Sequence, residues 1–101
     1  IDNAKKELDD KLAEIQSGIS AANESFSIGR ENIDLDNQLG TIGDFEAEER
    51  LLALRKEHES SLVSLREKLV AIAEASGDPK AAQMLERLDL SIKKRDKARR
   101  T

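Results

Sequence analysis

Apolar residues recur along this chain in steps of three and four, interrupted at a few points by glycine, proline and short polar side chains. The first series is Leu8, Leu12, Ile15, Ile19, Ala22 and Phe26. Its alternating steps put every member on one side of a helix, as the seam of a heptad repeat. The pattern predicts a helix from about Asp2 to Phe26. Beyond it a second set, Ile28, Leu35, Leu39 and Ile42, is offset from that seam, with Gly29 at the junction. Asn32, Asp34, Asp36 and Asn37 lower helix propensity in the same stretch. Together they favour a break or kink near Gly29.

The clearest boundary in the N-terminal half is Leu39-Gly40-Thr41-Ile42-Gly43-Asp44, where Thr41 or Asp44 can cap the next helix. Glu46, Glu48 and Glu49 suit the positive end of a helix dipole. Leu51, Leu54, Leu62, Leu65, Leu69 and Ile72 then predict a long helix over 44–76. Ser76-Gly77-Asp78-Pro79 joins a stop to a start. Gly77 can take the left-handed backbone that closes a helix, Asp78 can cap the next, and Pro79 fits a first helical position. Ala81, Leu85, Leu88 and Ile92 predict a last helix over 79–100. So short a link turns the two helices antiparallel with their stripes facing.

The expected fold is therefore all-α: long amphipathic helices with an antiparallel hairpin packed in coiled-coil fashion. Residues 1–40 read as a heptad helix with a kinked or broken end, and residues 41–101 as the hairpin. The expected interface residues are Leu8, Leu12, Ile15, Ile19, Leu51, Leu62, Leu65, Leu69, Ile72, Leu85, Leu88 and Ile92. The N-terminal seam has no intramolecular partner of matching length in this reading. It is expected to pair with other copies of the chain, as a dimer or trimer.

Composition sharpens the picture at a few points. A charged fraction of 38% with only 2% aromatics suits exposed helices rather than a globular core. Cysteine is absent, which excludes disulfide and thiolate chemistry. No apolar run approaches the ~20 residues of a membrane span, and Ile1 to Lys5 open no signal peptide. A chain that starts on Ile1 and stops within a basic run reads as a piece of a longer protein. Charge is uneven: residues 1–40 carry nine acids to four bases, and residues 77–101 carry eight bases to four acids. A chain with such ends can pair head to tail or line up on a charged surface.

Catalytic, cofactor and metal roles find no support. His58 is the only histidine and falls between Leu54 and Leu62, on the inward or boundary side of the second helix, which reads as a histidine at the edge of a helix interface. A carboxylate di-iron site wants Glu three residues before His, but position 55 is Arg; a zinc protease pair wants His at 62, which is Leu. The carboxylates are spread over helix surfaces with nothing to separate their pKa values. The chain is read as non-enzymatic, without a cofactor. The run Lys93, Lys94, Arg95, Lys97, Arg99 and Arg100 offers a phosphate or acidic-surface contact. Without interleaved aromatics for base stacking, a solvated helix end is preferred there to a nucleic-acid site.

The stretch LGTIGDFEAEERLLALRKEHESSLVSLREKL combines a Leu-x-x-Ile-Gly boundary, an aromatic and a long Glu/Arg/Leu helix, followed by a Gly-Asp break. In this texture, over roughly residues 30–100, the chain resembles helical segments of tape measure proteins of long-tailed bacteriophages. The resemblance implies a chain threaded in the tail lumen of the virion, in contact with tail tube or tail tip proteins. It would set tail length and assist genome ejection. The alternative is a coiled-coil hairpin of a cytoplasmic adaptor or chaperone, using its basic end on an acidic partner.

Overall fold

The computed structural model describes the backbone of residues 2–100 and the side chains of residues 5–94. Three helices account for it: α1 (Asp2–Gln38), α2 (Asp44–Ser76) and α3 (Pro79–Arg100), with no strand among the described residues. The all-α class with an antiparallel hairpin holds.

Each turn is built from its local sequence. α1 ends in a Schellman arrangement: the Thr41 N–H donates to the Asp36 carbonyl at 2.9 Å and the Gly40 N–H to the Asn37 carbonyl at 3.1 Å. That geometry needs the positive φ of 77° that Gly40 supplies. Ile42 turns inward and is buried beneath the loop. Neither Thr41 nor Asp44 caps α2. Gly43 is the cap residue without a side-chain bond, and Asp44 is already helical, where it and Glu46 face the dipole's positive end. The second turn obeys its sequence signals closely. Gly77 is left-handed at φ 64° and its N–H donates to the Ala73 carbonyl, while Asp78 Oδ1 accepts from the Lys80 N–H at 2.8 Å.

α1 is one uninterrupted helix through Gly29, and the expected break there does not occur. The reason is packing. A Cβ at Gly29 would lie 2.9 Å from both terminal methyls of Leu54, and one at Gly18 would lie 2.8 Å from Leu65 Cδ2. These glycines seat leucines from α2, so their missing side chains let two helices approach. The first seam continues through Gly29 to the half-buried Ile33 and Asp36, keeping the alternation of three and four.

α1 and α2 run antiparallel along their lengths. Asp36 lies near Arg50, Gly29 against Leu54, Phe26 and Asn23 against His58, and Gly18 against Leu65. α3 returns along the C-terminal half of α2, fixed by Arg66 and Asp89, which pair through two hydrogen bonds. The molecule is a rod of 59 × 25 × 14 Å.

The core is formed by Leu12 and Ile15 of α1, Leu62 and Leu69 of α2, and Ala81 and Leu88 of α3. Burial of each large aliphatic side chain contributes about 1.5–3 kcal/mol. Leu8, Ile19, Leu65, Ile72, Leu85, Ile92 and Met84 pack around that centre. The N-terminal seam thus has partners within its own chain, against the expectation that only another copy could cover it. Spacing along the chain conceals this arrangement, because two helices together complete the shell in place of one helix of matching length. Of the expected interface residues, all but the half-buried Leu51 belong to this intramolecular core.

Candidate interaction surface

Most of the large apolar side chains that the bundle leaves uncovered lie toward one end; Val63 and Leu90 are the exceptions. α3 reaches Arg100, eleven residues beyond Asp89, which brings its end level with about Arg55 on the antiparallel α2. Past that level α1 and α2 continue alone as a two-helix arm closed by the Gly40–Gly43 loop. Five large apolar residues that stay exposed lie on this arm or at its root: Ile28, Leu35, Leu39, Phe45 and Leu52.

They form two stripes. Ile28, Leu35 and Leu39 succeed one another at seven and four residues on α1, which is the offset set seen in the sequence. It is a real helical face that points away from α2, since the helix never breaks to turn it inward. Phe45 and Leu52 occupy a second line. Steps of seven carry that line to Glu59 and Arg66, the residue that meets α3. They are 74% and 45% exposed because α3 stops short of them.

The arm is also acidic. Residues 29–54 hold seven carboxylates against two arginines, Arg30 and Arg50. Arg50 is engaged locally, 2.9 Å from Glu46 and 3.8 Å from Asp36. Arg55 and Lys56 are exposed at the level where α3 ends, and Lys93 and Lys94 are exposed further back along α3. The side chains of Arg95, Lys97, Arg99 and Arg100 lie outside the described residues.

His58 sits where α1 and α2 meet, 5% exposed, its Nε2 2.8 Å from Asn23 Oδ1. Its ring stacks on Phe26 with centroids 4.7 Å apart. This is a polar pin in an apolar seam, on the inward side of α2. Among the described residues, no three histidines or carboxylates gather to hold a metal ion. The trough between α1 and α3, floored by Ile19, Met84 and Leu88, carries Lys80 and Arg87 at its rim. The Arg66 guanidinium holds its proton more tightly than usual, first through its hydrogen bond to Asp89 and then through that carboxylate's charge.

No helix among the described residues is long and apolar enough to cross a membrane. No family model matches the chain, and neither a curated protein nor a solved structure matches it.

The features that sequence reasoning missed have recognisable signals. Gly18 lies beside the seam residue Ile19, and Gly29 falls three residues after Phe26, on the seam itself. A glycine at a seam position marks a close approach as readily as a break. Phe45 and Leu52 are seven apart and outside the main stripe, which identifies a second face.

Proposed function

We propose that this chain is a structural, non-enzymatic assembly module, and specifically a helical segment of a phage tail tape measure protein. In that role it helps set tail length and assists genome ejection, working beside other copies of itself and tail tube or tail tip proteins. The observation that carries the assembly reading is the arm: a long helical rod keeps five of its seven exposed large apolar side chains on or beside one projecting end, the other two being Val63 and Leu90. The family reading is supported by the sequence texture around Leu39–Leu69. Self-association uses the outward stripe Ile28, Leu35 and Leu39, since the other seams are occupied within the chain. The adaptor reading is favoured by the exposed cations Lys93 and Lys94 at the end of α3, which suit an acidic partner.

The test is a series of heptad deletions in α1 of the parent protein, beginning with Ser20–Phe26, with tail lengths measured by electron microscopy. A helical ruler contributes ~1.5 Å per residue, so each block removes about 10 Å. Lengths that fall in proportion support the ruler. Tails of unchanged length, or a parent gene outside phages, overturn it in favour of the adaptor.

A further inference from the structure

We propose that the trough between α1 and α3 receives the Ile28–Leu35–Leu39 stripe of a second copy of this chain, so that copies join head to tail. This rests on the reading that the stripe mediates self-association, and it names the surface the stripe meets.

Charge and its spacing select the occupant. The trough is floored by Ile19, Met84 and Leu88, and no carboxylate lines it. Its α3 rim is a row of cations: Lys80, Arg87 and Lys94 recur every seven residues, about 10 Å apart along the axis. All three are exposed, and none forms an ion pair among the described residues. No carboxylate stands three or four residues from any of them, and Glu86 lies across α3 from Met84 and Leu88. The α1 rim is neutral at Gln16; Asp9, seven residues earlier, has Lys5 and Lys6 beside it.

The stripe carries the opposite pattern. Glu24 and Glu31 stand four residues before Ile28 and Leu35, so they form a row on one flank with the same seven-residue spacing. Asp34 adds to that flank, while the other holds the neutral Ser25 and Asn32. Arg30 lies across the helix from the stripe. On the bordering line of α2, seven residues apart, Glu57 adds a carboxylate and Arg50 is held by Glu46 and Asp36. Arg55 and Lys56 belong to other lines, shared with Leu62 and with the exposed Val63. An acidic flank and a neutral one thus meet a basic rim and a neutral one, both charged rows having one period, which fixes register. Two stripes packed on each other would leave the glutamates unpaired. Leu90, exposed between Arg87 and Lys94, lies seven residues beyond Gln83 at the trough's edge, where the docked stripe would cover it.

Stripe and trough face opposite ways, since Ile19 and Ile28 are nine residues apart and half a turn out of phase. Neither satisfies the other within one chain. Each contact leaves a free stripe and a free trough, so copies form a string rather than a closed pair.

The test is sedimentation velocity of the full chain over a dilution series, with circular dichroism to check that each variant keeps its helices. The wild type should grow past a dimer with concentration and dissociate as NaCl is added. Glu24→Lys with Glu31→Lys should raise the dissociation constant at least ~10-fold, as should Lys80→Glu with Arg87→Glu. The first pair brings the net charge from −4 to zero, so overall repulsion could not explain its loss of assembly. Mixing the two variants should restore assembly, because each supplies the trough that the other's stripe fits. If Ile28→Ser with Leu35→Ser disrupts assembly but the Lys80/Arg87 pair does not, the stripe reading stands and the trough is overturned. A wild type that stays monomeric, or assembly that survives loss of the stripe, overturns both. Charge variants that still fail when mixed, or a wild type that stops at a dimer, overturn the head-to-tail contact. Duplex DNA held at low salt by a monomeric chain, and lost with Lys80 and Arg87, would assign the row to phosphate and refute the proposal as well.

Discussion

Replacing Gly29 by alanine sets two opposed effects against each other. In an ordinary helix interior the change is favourable, because alanine exceeds glycine in helix propensity by about 0.8–1 kcal/mol. At Gly29 the new Cβ would lie 2.9 Å from both Cδ1 and Cδ2 of Leu54. Overpacking of this kind costs about 1–3 kcal/mol. One methyl could swing aside cheaply; two equally close to the new atom require the whole leucine, and with it the helix, to shift. The cost should therefore exceed the gain, leaving Gly29→Ala net destabilising by about 1 kcal/mol. Gly18 is the internal comparison. There one methyl of Leu65 would lie at 2.8 Å and the other at 3.4 Å, so a small rotation relieves the contact and Gly18→Ala should be near neutral. Urea unfolding monitored by circular dichroism measures both. A double-mutant cycle with Leu54→Ala isolates the contact, and the pair should lose less than its parts by roughly 1–2 kcal/mol. If Gly29→Ala instead raises stability by the full propensity difference, the helices are not in close approach there and the packing account of the unbroken α1 is wrong.

The same geometry sets three further outcomes. His58→Ala should cost about 2–4 kcal/mol by opening a cavity beside Phe26, whereas His58→Leu should cost far less because Asn23 is exposed enough to rehydrate; thermal melts distinguish them. Gly77→Ala forces a side chain into a left-handed backbone at φ 64°, and Asp78→Ala removes the cap on Lys80, so each should lower stability by about 1 kcal/mol in denaturant titrations. Arg66→Ala should loosen α3 and lose its effect in high salt. Because the folded pKa of Arg66 is raised above its ordinary value by Asp89, its contribution is fully present below the unfolded pKa and is lost only as pH rises through the raised one, so melts between neutral and mildly alkaline pH should show no trend from this group.

The legible parts of the fold are those set by local chemistry. Gly77, Asp78 and Pro79 each perform one step of a turn that any neighbouring structure would accept, and the stripes around them mark their own helices. Gly29 misleads because a helix-weakening residue says nothing about what presses against it. The polar residues after it, Asn32, Asp34 and Asn37, point the same wrong way, yet they only decorate a helix held by Leu54 from outside. The offset set misleads for a related reason. Ile28 and Leu35 resemble a seam that has changed phase, when the original seam continues beneath them through Gly29 and Ile33. Sequence spacing identifies apolar faces, but which face finds a partner depends on where α3 ends. The arm arises from that relation between helix lengths rather than from any residue in it.

The same lengths bear on how a folded-back rod could act as a ruler. The three helices, of 37, 33 and 22 residues, fill a length of 59 Å, whereas laid end to end they would span about 140 Å. A ruler gains by opening, and the two turns do not open equally. A continuous helix through the second turn would place Pro79 in its interior, losing a hydrogen bond and clashing with the preceding turn at a cost of about 3 kcal/mol. Asp78, immediately before it, is also biased away from helical backbone. The first turn contains no proline. Making residues 39–43 helical costs chiefly the propensity of Gly40 and Gly43, about 1 kcal/mol each. An opened form would therefore swing α1 away and keep the α2–α3 hairpin. The seam Leu8, Leu12, Ile15 and Ile19, now closed within the chain, would then require burial against other copies. In that case the folded chain and an extended oligomer would compete for the same leucines, and rising concentration would favour the oligomer. If the chain is a ruler, heptads removed from α1 would report on tail length most directly, because α1 would add length in the open form, whereas α3 would retrace α2 in either.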